Sequence, residues 1–276
     1  MLDEIAGAKV VESVLRRLNV RPDGNDTFVG GTTSGGGPRL FGGQVAGQAV
    51  VAAARTVEEG LSLHSLHAYF LQPGDPALDV IYRVERIKEG RNFHARQVLG
   101  RQGDRIIFSM QASFLRPQAG FSHQDPMPDV PMPESLPDRG ALHWGGFSPV
   151  QMRDCSAEDG AHPRKSGLRC VWMRPAAALP ADPTLHLAMF VFMSDMGLVS
   201  TGAMPHPELR RGQQSAASLD HTLWVHHAVA FDDWMLFTME TPAATGSRPL
   251  VTGAIYRRDG TRLISVAQEG LFRPRR

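Results

Sequence analysis

Three runs in the first half of the chain alternate with a period of two. Val80, Tyr82 and Val84 interleave with Ile81, Arg83 and Glu85; Phe93, Ala95 and Gln97 interleave with His94, Arg96 and Val98; Ile106, Phe108, Met110 and Ala112 carry the period onward. Such alternation predicts strands. Turn-forming groups separate them, at Pro73-Gly74-Asp75-Pro76, Glu89-Gly90 and Gln102-Gly103-Asp104. Links this short imply antiparallel neighbours, because parallel pairing needs long crossovers. A different pattern lies ahead of the meander. From about Gln44 to Val57 the residues are small and apolar almost all round, which predicts a helix with no polar face and therefore an enclosed one. A second helix of the same kind is predicted over Thr184 to Asp195. Glu4–Leu18, with apolar positions at Ile5, Val11, Val14, Leu15 and Leu18, reads as an amphipathic helix on the outside.

The pattern occurs twice. Arg105 matches Arg262, Gln111 matches Gln268, and Arg116-Pro117 matches Arg273-Pro274, all at a shift of 157 residues (262 − 105). The same shift aligns His64-Ser65-Leu66 with His221-Thr222-Leu223, and Arg91 with Arg248. Two copies make a duplicated domain, not a solenoid. The predicted fold class is α+β: a double hotdog, two tandem curved antiparallel sheets, each wrapped around a buried helix. The expected division is an N-terminal repeat over 1–117, a Pro/Gly-rich linker over 118–165 and a C-terminal repeat over 166–276.

Composition removes several functions. The 276 residues carry 29 basic and 28 acidic side chains, so no basic excess exists to hold a nucleic-acid backbone. Asp3 and Glu4 stand where a signal peptide would be basic, and the longest apolar run, Leu187–Met193, is too short to span a bilayer. Cys155 and Cys170 form no Cys-x-x-Cys pair, so zinc and redox readings lack support, and a reducing compartment argues against a disulfide between them. These features predict a cytoplasmic protein without metal or cofactor. His64 and His67 point to opposite faces of a strand, which disfavours a shared metal. No Gly-x-Ser-x-Gly elbow is present, and neither Gly35-Gly36-Gly37 nor Gly42-Gly43 has the spacing of a phosphate or dinucleotide cradle.

Arg39-Leu40-Phe41-Gly42-Gly43-Gln44-Val45, the run His64-Ser65-Leu66-His67-Ala68-Tyr69-Phe70-Leu71-Gln72-Pro73-Gly74, Asp220-His221-Thr222-Leu223-Trp224 and Gln268-Glu269-Gly270 resemble the type II acyl-CoA thioesterases. The resemblance covers nearly the whole chain outside the linker. It implies a double hotdog that hydrolyses acyl-CoA with no metal or cofactor. It also implies a catalytic set of one Asp, one Ser or Thr, and one Gln in the second half: Asp195, Ser218 and Gln268. Hotdog units commonly associate further, so a homo-oligomer is expected.

Each of these residues also has a plainer reading. Asp195 ends an apolar helix, where a carboxylate faces the negative end of the dipole at a cost of roughly 0.3–1 kcal/mol. A residue so poorly placed for stability is a candidate for function; alternatively it starts a loop in water. Gln268 is either catalytic or a structural amide, the role expected for Gln111. Ser218 owes its candidacy to the resemblance. The first copy keeps the Gln but offers Arg55, Thr56 and Val57 at its helix end and Leu61 at the serine position, so one active site per chain is expected. Gly42, Gly43 and Gln44 either allow close helix packing or present amides to a thioester oxygen. His64 is a candidate substrate contact, and His221 a packed polar residue near the site. The expected chemistry is direct attack by water on acyl-CoA. The rivals are a hotdog hydratase or dehydratase built on an Asp–His pair, for which Asp220-His221 is the weak candidate, and a non-catalytic acyl-CoA-binding module.

Overall fold

The structure is a computed structural model that describes residues 2–32, 38–137, 148–155, 168–211 and 214–274. Helix α1 (Leu2–Leu18) leads through β1 (Arg21–Pro22) and β2 (Thr27–Gly30) to α2 (Gly42–Ala54). The first meander follows: β3 (Ser62–Phe70), β4 (Val80–Glu89), β5 (Phe93–Gln102) and β6 (Arg105–Leu115). The second half contains β7 (Val150–Asp154), β8 (Leu168–Pro175), α3 (Pro183–Ser194), α4 (Leu198–Gly202) and β9 (Gln214–Ser218). It closes with β10 (Asp220–Val225), β11 (Met235–Thr245), β12 (Arg248–Arg257) and β13 (Arg262–Pro274).

The strands form one open antiparallel sheet in the order β1-β2-β4-β5-β6-β3-β10-β13-β12-β11-β8-β7, with β9 pairing the end of β13. The order 4-5-6-3 in one half is answered by 11-12-13-10 in the other. The halves join where β3 and β10 pair antiparallel, Leu66 opposite Leu223 and Ala68 opposite His221. Inward residues of both halves share one core with α2 and α3. This is the expected double hotdog.

Both central helices are buried, as their lack of a polar face requires. They cross at glycines. A Cβ on Gly43 would lie 2.4 Å from the Phe192 carbonyl oxygen, and one on Gly47 would lie 2.9 Å from that of Ala188, so only glycine permits this approach. Helix α2 starts at Gly42, two residues before the expected Gln44. It stops at Ala54 and not Val57, because Thr56 turns its hydroxyl onto the Ala53 carbonyl while buried Arg96 donates to both Thr56 oxygens at 2.8 Å. Helix α3 is capped by Asp182, which accepts from Thr184 N–H at 2.8 Å, and has Pro183 in its first turn. Pro183–Gly202 is long and apolar enough to cross a membrane by composition, but 72% of its apolar 18-residue stretch is buried inside this fold.

Two sequence expectations need correction. The stretch read as linker contains a strand, β7, whose Val150 and Met152 point inward; crowded prolines upstream mask this short alternation. The rest of the described linker lies over the outer face of the second half, where Pro131 O accepts from the Trp172 indole at 2.9 Å and Met127, Val130 and Leu136 pack nearby. The second correction concerns register. Leu66 pairs with Ala112 and its counterpart Leu223 pairs with Val266, so β6 and β13 correspond at a shift of 154 (266 − 112), not 157. Gln111 is therefore not the structural partner of Gln268. It points outward and is exposed, and the inward position answering Gln268 holds buried Phe114. With a period of two, a three-residue slip reverses the face.

Candidate active site

Asp195, Ser218 and Gln268 come from three elements and meet. Asp195 is the C-cap of α3, Ser218 ends β9, and Gln268 points inward from β13. The Ser218 hydroxyl donates to Asp195 Oδ1 at 3.2 Å. Gln268 Nε2 donates to Ser218 Oγ at 2.7 Å. β13 supports both partners, since Ser218 pairs with Gly270 in the β9 ladder while Gln268 pairs with Val251 of β12.

The other oxygen of Asp195 reaches into the first half. Oδ2 accepts from Gly43 N–H at 2.8 Å, in the first turn of α2. The unfavourable position at the end of α3 is thus offset by the positive N-terminus of α2. Asp195 is 7% exposed and Gln268 is 1% exposed. Burial pushes the Asp195 carboxyl above the ordinary aspartate range; the charge of His221 and the hydrogen bonds from Gln268, Ser218 and Gly43 pull the other way.

Two residues beyond the expected three are tied to this cluster. His221 is fully buried, with Nδ1 2.7 Å from Gln268 Oε1 and Nε2 2.8 Å from Ser194 Oγ. His221 had a sequence signal, standing in the inward phase of β10 with Leu223. Ser194 had a weaker one, a hydroxyl at the end of an apolar helix. His221 does not touch Asp195 directly, since Gln268 and Ser218 stand between them. Asp220, the other acid considered for an Asp–His pair, instead accepts from Glu269 N–H at 2.6 Å.

The glycine-rich turn divides. Gly43 N–H is committed to Asp195, and Gln44 N–H donates to Phe41 O at 3.1 Å. Neither is free to hold a substrate oxygen as the sequence suggested. Gly42 N–H has no acceptor among the described residues, and a Cβ at Gly42 would lie 2.8 Å from Asp195 Oδ2 and 2.9 Å from the Phe70 ring. His64 is not brought to the cluster. It sits at a bulge in β3 with Nε2 2.7 Å from Ser113 Oγ and its ring edge-on to Phe93. Six residues separate it from Phe70, about 20 Å along an extended strand. Among the described residues, no group of three or more His, Cys, Asp or Glu side chains could hold a metal ion.

Residues 161–271 match the family model described as acyl-CoA thioesterase, and residues 30–115 match that of the acyl-CoA thioesterase N-terminal domain. Acyl-coenzyme A thioesterase 8 of Mus musculus is 38% identical over 258 residues, covering 85% of this chain and 80% of the relative. Acyl-CoA thioesterase 2 of Haemophilus influenzae is 31% identical over 281 residues, covering 96% and 98%. The crystal structure of an acyl-CoA thioesterase II, TesB2, from Mycobacterium marinum superposes with a TM-score of 0.85 at 36% identity, covering 95% and 98% of the two chains.

Proposed function

The chain belongs to the acyl-CoA thioesterase family and is a thioester hydrolase, and on that basis we propose that it cleaves fatty-acyl-CoA using a water activated by Asp195, Ser218 and Gln268. The observation that carries the residue assignment is the convergence on Ser218 Oγ, 3.2 Å from Asp195 Oδ1 and 2.7 Å from Gln268 Nε2, at the first turn of a buried helix.

Asp195 accepts from Ser218, Gln268 and Gly43, which leaves its carboxylate a lone pair for water. Raised by burial, the carboxylate is a better base than an exposed aspartate, while its hydrogen-bond donors favour the charged form. The Ser218 oxygen, held by Gln268, orients the water. The water proton passes to Asp195 as the oxygen bonds to the carbonyl carbon. Collapse of the tetrahedral intermediate breaks the C–S bond, and the departing coenzyme A thiolate takes the proton back from Asp195. Gly42 N–H, at the positive end of α2, is the amide available to the developing oxyanion. No acyl-enzyme forms.

The test is thiol release from decanoyl-CoA or palmitoyl-CoA by wild type and Asp195→Asn. The asparagine keeps the shape and loses the base, so turnover should fall by about 10²–10⁴-fold. Equal rates would remove Asp195 from the chemistry, and acyl groups retained on the protein during turnover would exclude direct attack by water. Absence of thiol release by the wild type on any chain length would favour a binding module.

A further inference from the structure

We infer that His221 is a positioning residue: its Nδ1–H fixes the direction of the hydrogen-bond chain through Gln268 and so turns the Ser218 hydroxyl toward Asp195. This rests on the proposed roles of Asp195, Ser218 and Gln268.

The direction follows from what each group can do. An ionised carboxylate only accepts. Ser218 must then spend its one hydrogen on Asp195 Oδ1, at 3.2 Å, and must accept from Gln268 at 2.7 Å. That orients the Gln268 amide with nitrogen toward Ser218 and oxygen toward His221. Gln268 Oε1 then needs a donor, and the group 2.7 Å away is His221 Nδ1. The far side of the ring fits either charge state. Neutral, Nε2 accepts from the Ser194 hydroxyl at 2.8 Å; charged, it donates to it, and Ser194 donates to Val191 O at 2.9 Å. Both states leave the hydrogen on Nδ1.

The alternative is the reverse chain. With Nδ1 bare, Gln268 rotates its amide to donate to His221. Ser218 then donates to Gln268 Oε1 and has no hydrogen left for Asp195, so the Asp195–Ser218 bond survives only if Asp195 is protonated and donates to Ser218 Oγ. That ordering disables the base. His221 is therefore the group that selects between a base-ready and a base-blocked arrangement without touching water or substrate. The acids facing it are Asp195, from the end of α3, and Asp220, on its own strand; the inward residue opposite it on β3 is Ala68. Sheet register supports the assignment. His221 stands directly opposite Ala68 on the seam strand, and the small methyl leaves the ring room to reach both Gln268 and Ser194.

The first measurement needs no variant: ¹⁵N spectra of the histidines in the resting enzyme, with His221 assigned by comparison with His221→Asn. Nδ1 should be protonated at the pH of the assay. A bare Nδ1 with a protonated Nε2 overturns the proposal. The second measurement is kinetic. His221→Leu removes the donor and should lower kcat by roughly 10–100-fold, the worth of one buried donor, with KM little changed. Its acid limb in kcat/KM should move up by about one pH unit, as Asp195 loses the arrangement that keeps it ionised. His221→Asn, whose amide nitrogen overlays Nδ1, should restore most of the rate. Wild-type turnover in the leucine variant, or equal losses in both variants with an unmoved acid limb, overturns it. If the leucine variant does not fold, the spectrum and the asparagine variant still decide. Full activity in Asp195→Asn would strike the general-base reading instead, and the tautomer of His221 would remain readable.

Discussion

Gly43 does two jobs at one atom spacing, and comparing its alanine variant with that of Gly47 separates them. The Gly43 Cα lets α3 approach α2, and its N–H holds Asp195 Oδ2 at 2.8 Å. A Cβ there would lie 2.4 Å from Phe192 O, against an ordinary contact of 3.4 Å or more, so α3 must retreat by about 1 Å (3.4 − 2.4). Asp195 follows Phe192 by three residues on the same helix end, so the retreat carries the carboxylate beyond hydrogen-bond range of the amide. The stability cost is an overpacking penalty of roughly 1–3 kcal/mol plus a charge-assisted hydrogen bond worth about 1.5–3 kcal/mol. In a chain of this size that lowers Tm by roughly 5–15 °C. The catalytic cost of a 1 Å misplacement is about 10²-fold in kcat.

The control is Gly47→Ala, one turn deeper in the same crossing. Its Cβ would meet Ala188 O at 2.9 Å and a methyl of buried Leu18 at 2.8 Å, a milder clash that touches no donor to Asp195. The assay is thiol release under saturating acyl-CoA, paired with thermal denaturation of each variant. Gly43→Ala should lose both stability and turnover. Gly47→Ala should lose about 1–2 kcal/mol of stability and keep kcat within about threefold, because the site amide stays in place. Equal kcat losses in the two variants would refute the anchoring role, as would full turnover in Gly43→Ala.

Ser218→Ala strips an acceptor from Gln268 and a donor from Asp195, and should lower kcat about 10–100-fold with Ser218→Thr recovering most of it; steady-state kinetics on the three proteins check this. Asp195→Asn should be more stable than wild type at pH 7: a carboxyl raised by burial contributes stability fully below its unfolded value near pH ~3.9 and loses it as pH rises through the folded value, a loss asparagine does not suffer. Urea unfolding near pH 4 and pH 7 tests the sign, and an advantage that grew toward acid would contradict it. Cys155 and Cys170 lie opposite each other, buried, with Cys155 N–H donating to Cys170 O at 3.0 Å and the Cys155 thiol pushed up by its hydrogen bond to Cys170 and by burial. Both should resist a colorimetric thiol reagent in the native enzyme and react once urea unfolds it.

The parts of this molecule legible in its sequence were those with a period. Alternation located the meanders, and the absence of a polar face marked α2 and α3 as enclosed. What period could not supply was register. Gln111 and Gln268 align perfectly along the chain, yet one faces solvent and the other the core, because the β5–β6 hairpin spans 16 residues from Arg96 to its partner Ala112 (112 − 96) where the β12–β13 hairpin spans 13 from Gly253 to its partner Val266 (266 − 253). Nor could it supply partners. Gly43 and Asp195 are 152 residues apart, and His221 and Gln268 are 47 apart. Their hydrogen bonds exist only once two helix ends and two strands are superposed.

That superposition explains why a duplicated fold carries one cluster of this kind. The first half answers Asp195 with Arg55 at its helix end, Ser218 with Leu61, and Gln268 with Phe114. It has none of the three side chains, yet it supplies the amide that fixes the carboxylate. The second half has the three side chains but ends its helix with the wrong dipole for an anion. An isolated second half would therefore hold Asp195 at a negative helix terminus with no opposing amide. The cluster belongs to the seam, and what the first repeat contributes to it is backbone, which is free to persist while its side chains drift.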